Sequence, residues 1–173
     1  KFMFQPGEEG HFGALRMIED GLLERGGAPD GAFAIHITPN LASGVFSSRP
    51  GPFMASTDTV EIEVWGRGGH ASAPHMALDP VPIACEIVTA MQTMITRQIS
   101  AFEPVVLTIA KIAAGTTSNV IPETVSMLGT LRALSESSRK RAKALIAQVA
   151  NKIAEAHGAH AEVKLTEGYA VTV

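Results

Sequence analysis

Apolar and polar residues alternate along Thr59–Trp65, with Val60, Ile62 and Val64 on one side of the pleat and Glu61, Glu63 and Trp65 on the other. That is the pattern of a half-buried strand. From Val81 to about Ile99 the apolar positions recur at helical spacing. Asp79 and Pro80 precede them as an N-cap residue and a proline at the first helical position. Strand-like runs follow at Val105–Ile112 and Thr124–Ala133, parted by the turn-rich stretch 114–119. A second helix opens at Ser135 or Glu136, carries Leu145, Ile146, Val149, Ile153 and Ala156 at helical spacing, and stops at Gly158. Ala161–Leu165 alternates as a last strand. Residues 57–167 therefore read β-α-β-β-α-β, the ferredoxin-like order, with both helices expected on one face of a four-stranded antiparallel sheet.

The first part of the chain carries a different pattern. Lys1–Phe4 reads as a short buried strand, Gln5-Pro6-Gly7 breaks it, and a helical pattern follows from Glu8 and Glu9 through Leu15, Ile18, Leu22 and Leu23. After a loop at 26–31, Ala32–Ile37 reads as a second apolar strand ending at Thr38-Pro39-Asn40, and Gly44–Ser47 as a further short one. Strand, helix, strand suggests a parallel α/β layer. Arg49-Pro50-Gly51-Pro52 has the composition of a linker. The chain opens on an apolar run without a methionine and closes at Gly168–Val173 on what reads as the start of a strand or loop, so a truncated chain is expected.

Composition changes this picture little. With 46% hydrophobic and 18% charged residues and a net charge of −3, the chain has the makings of a packed core. It has no basic footprint for nucleic acid or an anionic membrane. Arg139, Lys140, Arg141 and Lys143 fall in the second helix, where a solvated face is expected. The single cysteine, Cys85, excludes an intrachain disulfide and sits among Ile83, Ala84, Ile87 and Val88, where a buried thiol is expected. No apolar run reaches about 18 residues, and a cytoplasmic protein fits.

Candidate chemistry lies mainly in the first forty residues. Adjacent side chains at a strand end leave the backbone in different directions, so Glu8 and Glu9 can divide labour as proton acceptor and metal ligand. A metal lowers the pKa of its bound water to about 7, within reach of a neighbouring carboxylate. Two glutamates opening a helix equally well complement its positive N-terminus. His36 lies at the end of an apolar strand, where it is either a core residue or a ligand suited to zinc or manganese.

Phe4–Gly10 (Phe-Gln-Pro-Gly-Glu-Glu-Gly), Ile35–Pro39 (Ile-His-Ile-Thr-Pro) and Gly68–His75 (Gly-Gly-His-Ala-Ser-Ala-Pro-His) follow one another in an order that resembles the M20 metallopeptidases. Arg49–Ala55, Gly115-Thr116 with Asn119–Pro122, and Gly129–Arg132 resemble more narrowly the amidohydrolase branch that contains hippurate hydrolase and indoleacetyl-amino-acid hydrolases. The resemblance implies a zinc-peptidase-like α/β catalytic domain, represented in part by residues 1–56. Residues 57–167 would be a lid and dimerisation domain inserted into it, and 168–173 the return to the catalytic domain.

Carried over by position, the resemblance makes Glu8 the general base, Glu9 and His36 metal ligands, and His70 a lid histidine that reaches the partner subunit's active site to stabilise an oxyanion. Asn119 and Arg132 would hold the substrate's carboxylate, a task suited to an amide donor and a forked guanidinium. His75 receives no role. Gly66, Gly68 and Gly69 would permit close backbone approach beside His70. The remaining ligands, in an upstream His-x-Cys-Gly-His-Asp motif and a C-terminal histidine, have no counterpart here.

The resemblance thus implies metal-dependent hydrolysis of the amide bond of N-acyl amino acids by a full-length homodimer holding two divalent ions, zinc or manganese. The fragment itself is expected to be inactive and to bind metal weakly. The alternatives are a dipeptidase or aminoacylase of the same family and, in another class, a noncatalytic dimerisation module.

Overall fold

The structure, a computed structural model, describes residues 2–173, which divide into two compact units, one ending at Ser47 and the other Ser48–Val173. Lys1 lies outside the described residues.

Among the described residues of the first unit the only regular element is a short helix, α1 (Gly13–Glu19). The helix expected from Glu8 begins late because Gly7, Gly10 and Phe12 all adopt positive φ, at 62°, 80° and 53°. Left-handed residues cannot continue a right-handed helix. Glu8 and Glu9 therefore occupy a turn, in which the Gly10 N–H donates to the Glu8 carbonyl at 3.0 Å. Gly13 packs so closely on Pro6 that a Cβ there would lie 1.6 Å from the Pro6 carbonyl oxygen. Gly21, at φ 84°, ends the helix. Its N–H donates to the Ile18 carbonyl and that of Leu22 to the Met17 carbonyl, the paired bonds of a glycine-terminated helix.

The strands expected at 1–4, 32–37 and 44–47 are not formed among the described residues, nor is a parallel layer. Phe33 is 99% exposed and Ile37 89%. A strand needs a partner for its N–H and C=O groups, and the first unit supplies none.

The second unit matches the expected order. Its sheet strands are β1 (Asp58–Trp65), β3 (Val105–Ala114), β5 (Thr124–Ala133) and β6 (His160–Glu167), with helices α2 (Pro80–Gln98) and α3 (Glu136–Ala156). The sheet order is β3-β5-β1-β6 with every pairing antiparallel, the order that β-α-β-β-α-β connectivity produces. Two further short strands, β2 (Gly69–His70) and β4 (Val120–Ile121), pair separately.

Val60, Ile62 and Val64 are buried against Ile87 and Met91 of α2 and Ile146 of α3, while Glu61, Glu63 and Trp65 lie on the other face. Three alanines of α3, Ala142, Ala150 and Ala154, are fully buried. Small side chains there let the helix lie close to the sheet. The helix ends follow their sequence signals. The Asp79 carboxylate accepts from the Val81 N–H, Ser135 caps α3 by accepting from the Ser138 N–H, and Gly158, at φ 75°, closes α3.

Two surface expectations are overturned. Arg139 is 5% exposed, and its guanidinium grips Asp58 through Nε to Oδ2 at 2.8 Å and Nη2 to Oδ1 at 2.9 Å. Lys143 adds a contact to Asp58 Oδ1 at 2.8 Å and one to Glu167 at 2.6 Å. This half of the basic cluster is therefore an internal ionic brace between α3 and the first and last strands. Cys85, in contrast, is exposed, because the buried stripe of α2 runs through Pro80, Ile83, Ala84, Ile87, Met91 and Met94 and leaves position 85 on its flank.

The segments entering and leaving the sheet run side by side. Phe53 N–H donates to the Thr172 carbonyl at 2.8 Å, Thr172 N–H to the Met54 carbonyl at 3.0 Å, and Thr57 N–H to the Tyr169 carbonyl at 2.9 Å. The two connectors thus form one hydrogen-bonded stalk.

Candidate functional site

His70 sits where backbone contacts hold it on both sides. It pairs with Val120 across β2 and β4, the Ala71 N–H donates to the Asn119 carbonyl at 3.0 Å, and the Ala73 N–H donates to the His70 carbonyl at 2.9 Å. The glycines of this loop are required by space. A Cβ on Gly66 would lie 2.1 Å from the Leu78 carbonyl oxygen, one on Gly69 2.8 Å from the Ala77 Cβ, and one on Gly68 3.0 Å from the Ile121 carbonyl oxygen. The tight loop aims an exposed imidazole outward, with Asn119 adjacent on the next segment.

The Thr117 hydroxyl lies 3.2 Å from Asn119 Oδ1 and donates to it, leaving the amide nitrogen as an outward donor. Ser72 approaches His70 Nδ1 twice, through its N–H at 3.2 Å and its hydroxyl at 2.7 Å. Sequence reasoning did not single out Ser72, although it lies in the same glycine-histidine motif.

Arg132 occupies the other end of the sheet. His70 and Val120 lie beside the start of β5, whereas Arg132 is eight residues beyond Thr124, roughly 26 Å away at about 3.3 Å per residue. Its side chain lines an open cleft of about 470 Å³ together with Arg49, Phe53, Pro104 and Val106. Arg49, which the sequence placed in a linker and in a family motif without a role of its own, has its Nε 2.7 Å from the Pro52 carbonyl, which holds it on the cleft wall. Two guanidinium groups above apolar side chains suit a ligand with a carboxylate and a hydrophobic body.

Glu8, Glu9 and His36 belong to the first unit and are exposed. The His36 Nδ1 lies 2.7 Å from the Ile37 carbonyl oxygen, which can only accept, so Nδ1 carries the proton. Nε2 is then the lone-pair nitrogen, the form in which imidazole binds a metal. Single donors are not a site, however. Among the described residues no three histidine, cysteine, aspartate or glutamate groups converge on a point where a cation would sit. Glu9 and His36 are thus chemically suitable ligands that this chain does not enclose. Among the described residues, no helix is long and apolar enough to cross a membrane.

The family model for a peptidase dimerisation domain matches residues 55–158. Thermostable carboxypeptidase 2 of Saccharolobus solfataricus is 42% identical over all of this chain and 44% of its own length. The N-acetyl-L-cysteine deacetylase of Bacillus subtilis is 36% identical over 97% of this chain and 40% of its own. Among solved structures, a Bacillus subtilis protein described as a dinuclear metal-binding peptidase of the M20 family superposes with a TM-score of 0.72 at 31% identity, covering 98% of this chain and 41% of that one. The chain spans less than half the length of these relatives. With the matched region covering most of the second unit and a relative 42% identical over all of this chain, the chain belongs to the M20 peptidase family.

Proposed function

We propose that this chain is part of a homodimeric, metal-dependent hydrolase that cleaves the amide bond of N-acyl amino acids. Glu9 and His36 contribute two of the metal ligands, and donors outside the described residues close that site. The chain's own groups perform proton transfer, oxyanion stabilisation and carboxylate binding. Glu8 takes the proton of the attacking water and returns it to the leaving amine. His70 donates to the oxygen of the tetrahedral intermediate. Arg132 and Asn119 hold the carboxylate of the amino acid.

The observation that carries the reading is the separation of His70 and Asn119 from Arg132 along β5. Groups separated by about the length of β5, roughly 26 Å, cannot meet one small substrate within a single chain. They can meet it when each active site draws Arg132 from one chain and His70 with Asn119 from another, the arrangement a two-fold dimer supplies twice. The dimerisation-domain match supports the same assembly. The substrate class is supported by the deacetylase relative, whose name describes removal of an acetyl group from an amino acid.

A panel of N-acyl amino acids, their C-terminal amides and short peptides tests the reading in the complete protein. Free-carboxylate N-acyl amino acids should be turned over and the amides should not. Glu8→Gln should lower kcat by about 10²–10⁴-fold. Unchanged turnover in Glu8→Gln would reject the proton shuttle. The 42% identity to a carboxypeptidase favours a second reading, removal of a C-terminal residue from short peptides. Preference for peptides over N-acyl amino acids in the same panel would select it.

A further inference from the structure

We infer that Ser72 is a positioning residue that sets the tautomer and ring orientation of His70, an inference that rests on His70 acting as a hydrogen-bond donor in the proposed reaction. A backbone N–H can only donate, and that of Ser72 points at His70 Nδ1 from 3.2 Å. Nδ1 must therefore be the unprotonated nitrogen of the neutral ring. The Ser72 hydroxyl, 2.7 Å from the same atom, then has one role left to it, that of a second donor. With Nδ1 occupied as acceptor, the ring proton resides on Nε2, the nitrogen pointing away from the loop.

A neutral histidine that stabilises an oxyanion has to present N–H, not a lone pair, to the developing charge. The loop delivers this state before substrate arrives. The Ala71 N–H to Asn119 carbonyl bond and the Ala73 N–H to His70 carbonyl bond fix the backbone on which Ser72 and His70 sit. Ser72 thereby fixes χ1 and χ2 of His70 with two bonds to a single atom. Ala71, between them, carries no side chain able to do so. The motif Gly69-His70-Ala71-Ser72 therefore encodes a donor histidine together with the group that orients it.

The test combines nitrogen chemical shifts with kinetics. In the full chain labelled with ¹⁵N-histidine, the six imidazoles are separated by comparison with His70→Gln. His70 should show the Nε2–H tautomer in its neutral form. Ser72→Ala, which removes the hydroxyl bond but keeps the backbone N–H, should shift it part of the way toward a mixed-tautomer average, and Ser72→Thr, which keeps the hydroxyl, should restore the original pattern. In the complete protein Ser72→Ala should lower kcat about three- to tenfold, as expected for loss of one orienting hydrogen bond, with KM unchanged and recovery in Ser72→Thr.

Wild-type nitrogen shifts and wild-type kcat in Ser72→Ala would overturn the inference while leaving the reading of His70 intact, provided His70→Gln is inactive. An active His70→Gln would overturn the reading of His70 itself and with it any catalytic effect of Ser72. An Nδ1–H tautomer in the wild type would overturn the geometric argument whatever the kinetics.

Discussion

The ionic brace between α3 and the first and last strands makes a quantitative prediction. The Asp58 carboxylate is fully buried and receives two bonds from Arg139 and one from Lys143. Asp58→Asn keeps the shape but removes the charge that compensates both cations. Breaking a buried pair from one side costs about 3–5 kcal/mol. The lower end, about 3 kcal/mol, applies here because Glu136 still contacts Arg139 at 3.1 Å and Glu167 still contacts Lys143 at 2.6 Å. For a unit of this size that corresponds to a fall in Tm of about 12 °C.

Urea unfolding followed by the fluorescence of Trp65 measures the loss, because Trp65 is the single tryptophan and lies on β1, the strand that Asp58 opens. A loss below about 1 kcal/mol at unchanged m would refute the reasoning. So would additivity of Asp58→Asn with Arg139→Gln, since a shared pair must couple.

The pH dependence of the same difference has a determined sign. Burial pushes the Asp58 carboxyl up, but the bonds from Arg139 and Lys143 outweigh it and hold the group below its ordinary value. A depressed folded value means that the contribution is complete above the unfolded carboxylate value of about 3.9. It is lost as pH falls below that toward the folded value. The stability gap between wild type and Asp58→Asn should therefore be constant from about pH 5 to neutrality and narrow below about pH 4. A gap that widens in acid would contradict the assignment.

Other outcomes follow from the remaining geometry. Gly66→Ala should distort the His70 loop, because the added Cβ meets the Leu78 backbone at 2.1 Å. A loss of about 1–3 kcal/mol in urea unfolding is expected, and none would show that the loop can shift freely. Arg132→Lys in the complete protein should raise KM for N-acyl amino acids about tenfold or more by replacing a forked donor with a point charge, and an unchanged KM would remove Arg132 from carboxylate binding. Calorimetric titration of the isolated chain with zinc should show only weak binding, since among the described residues Glu9 and His36 lie in no three-donor group, and two tight sites would contradict this.

What could be read from the residues followed how local each signal was. Val60, Ile62 and Val64 announce a strand because their alternation needs only a neighbouring layer, which the same unit provides. Asp79-Pro80 and Gly158 mark helix ends through bonds made within one turn. Residues 2–4 and 32–37 carry equally apolar patterns, yet pairing is a long-range event that the first unit does not supply. The late start of α1 depends on positive φ at Phe12, for which the sequence offers no cue, and its end falls at Gly21, φ 84°, inside the apolar run to Leu23 that reads as one helix.

Arg139 resembles its neighbours Lys140 and Arg141 in sequence; only the position of Asp58, 81 residues earlier, makes it internal. Among candidate site residues, His70 and Asn119 are adjacent because β2 pairs with β4, a contact between two-residue strands too short to be seen in any pattern. The same scale of detail hid Ser72 and Arg49.

The central claim is that each active site combines residues of two chains, and subunit mixing tests it most directly. Glu8→Gln and His70→Gln variants of the complete protein, each inactive alone, are mixed under conditions that exchange subunits. In a mixed dimer one site joins an intact Glu8 from one chain to an intact His70 from the other. Random exchange makes about half of the dimers mixed with one working site of two, so activity should return to about a quarter of wild type. No recovery, with exchange verified by mass, would place Glu8 and His70 in the same chain's site and contradict the account.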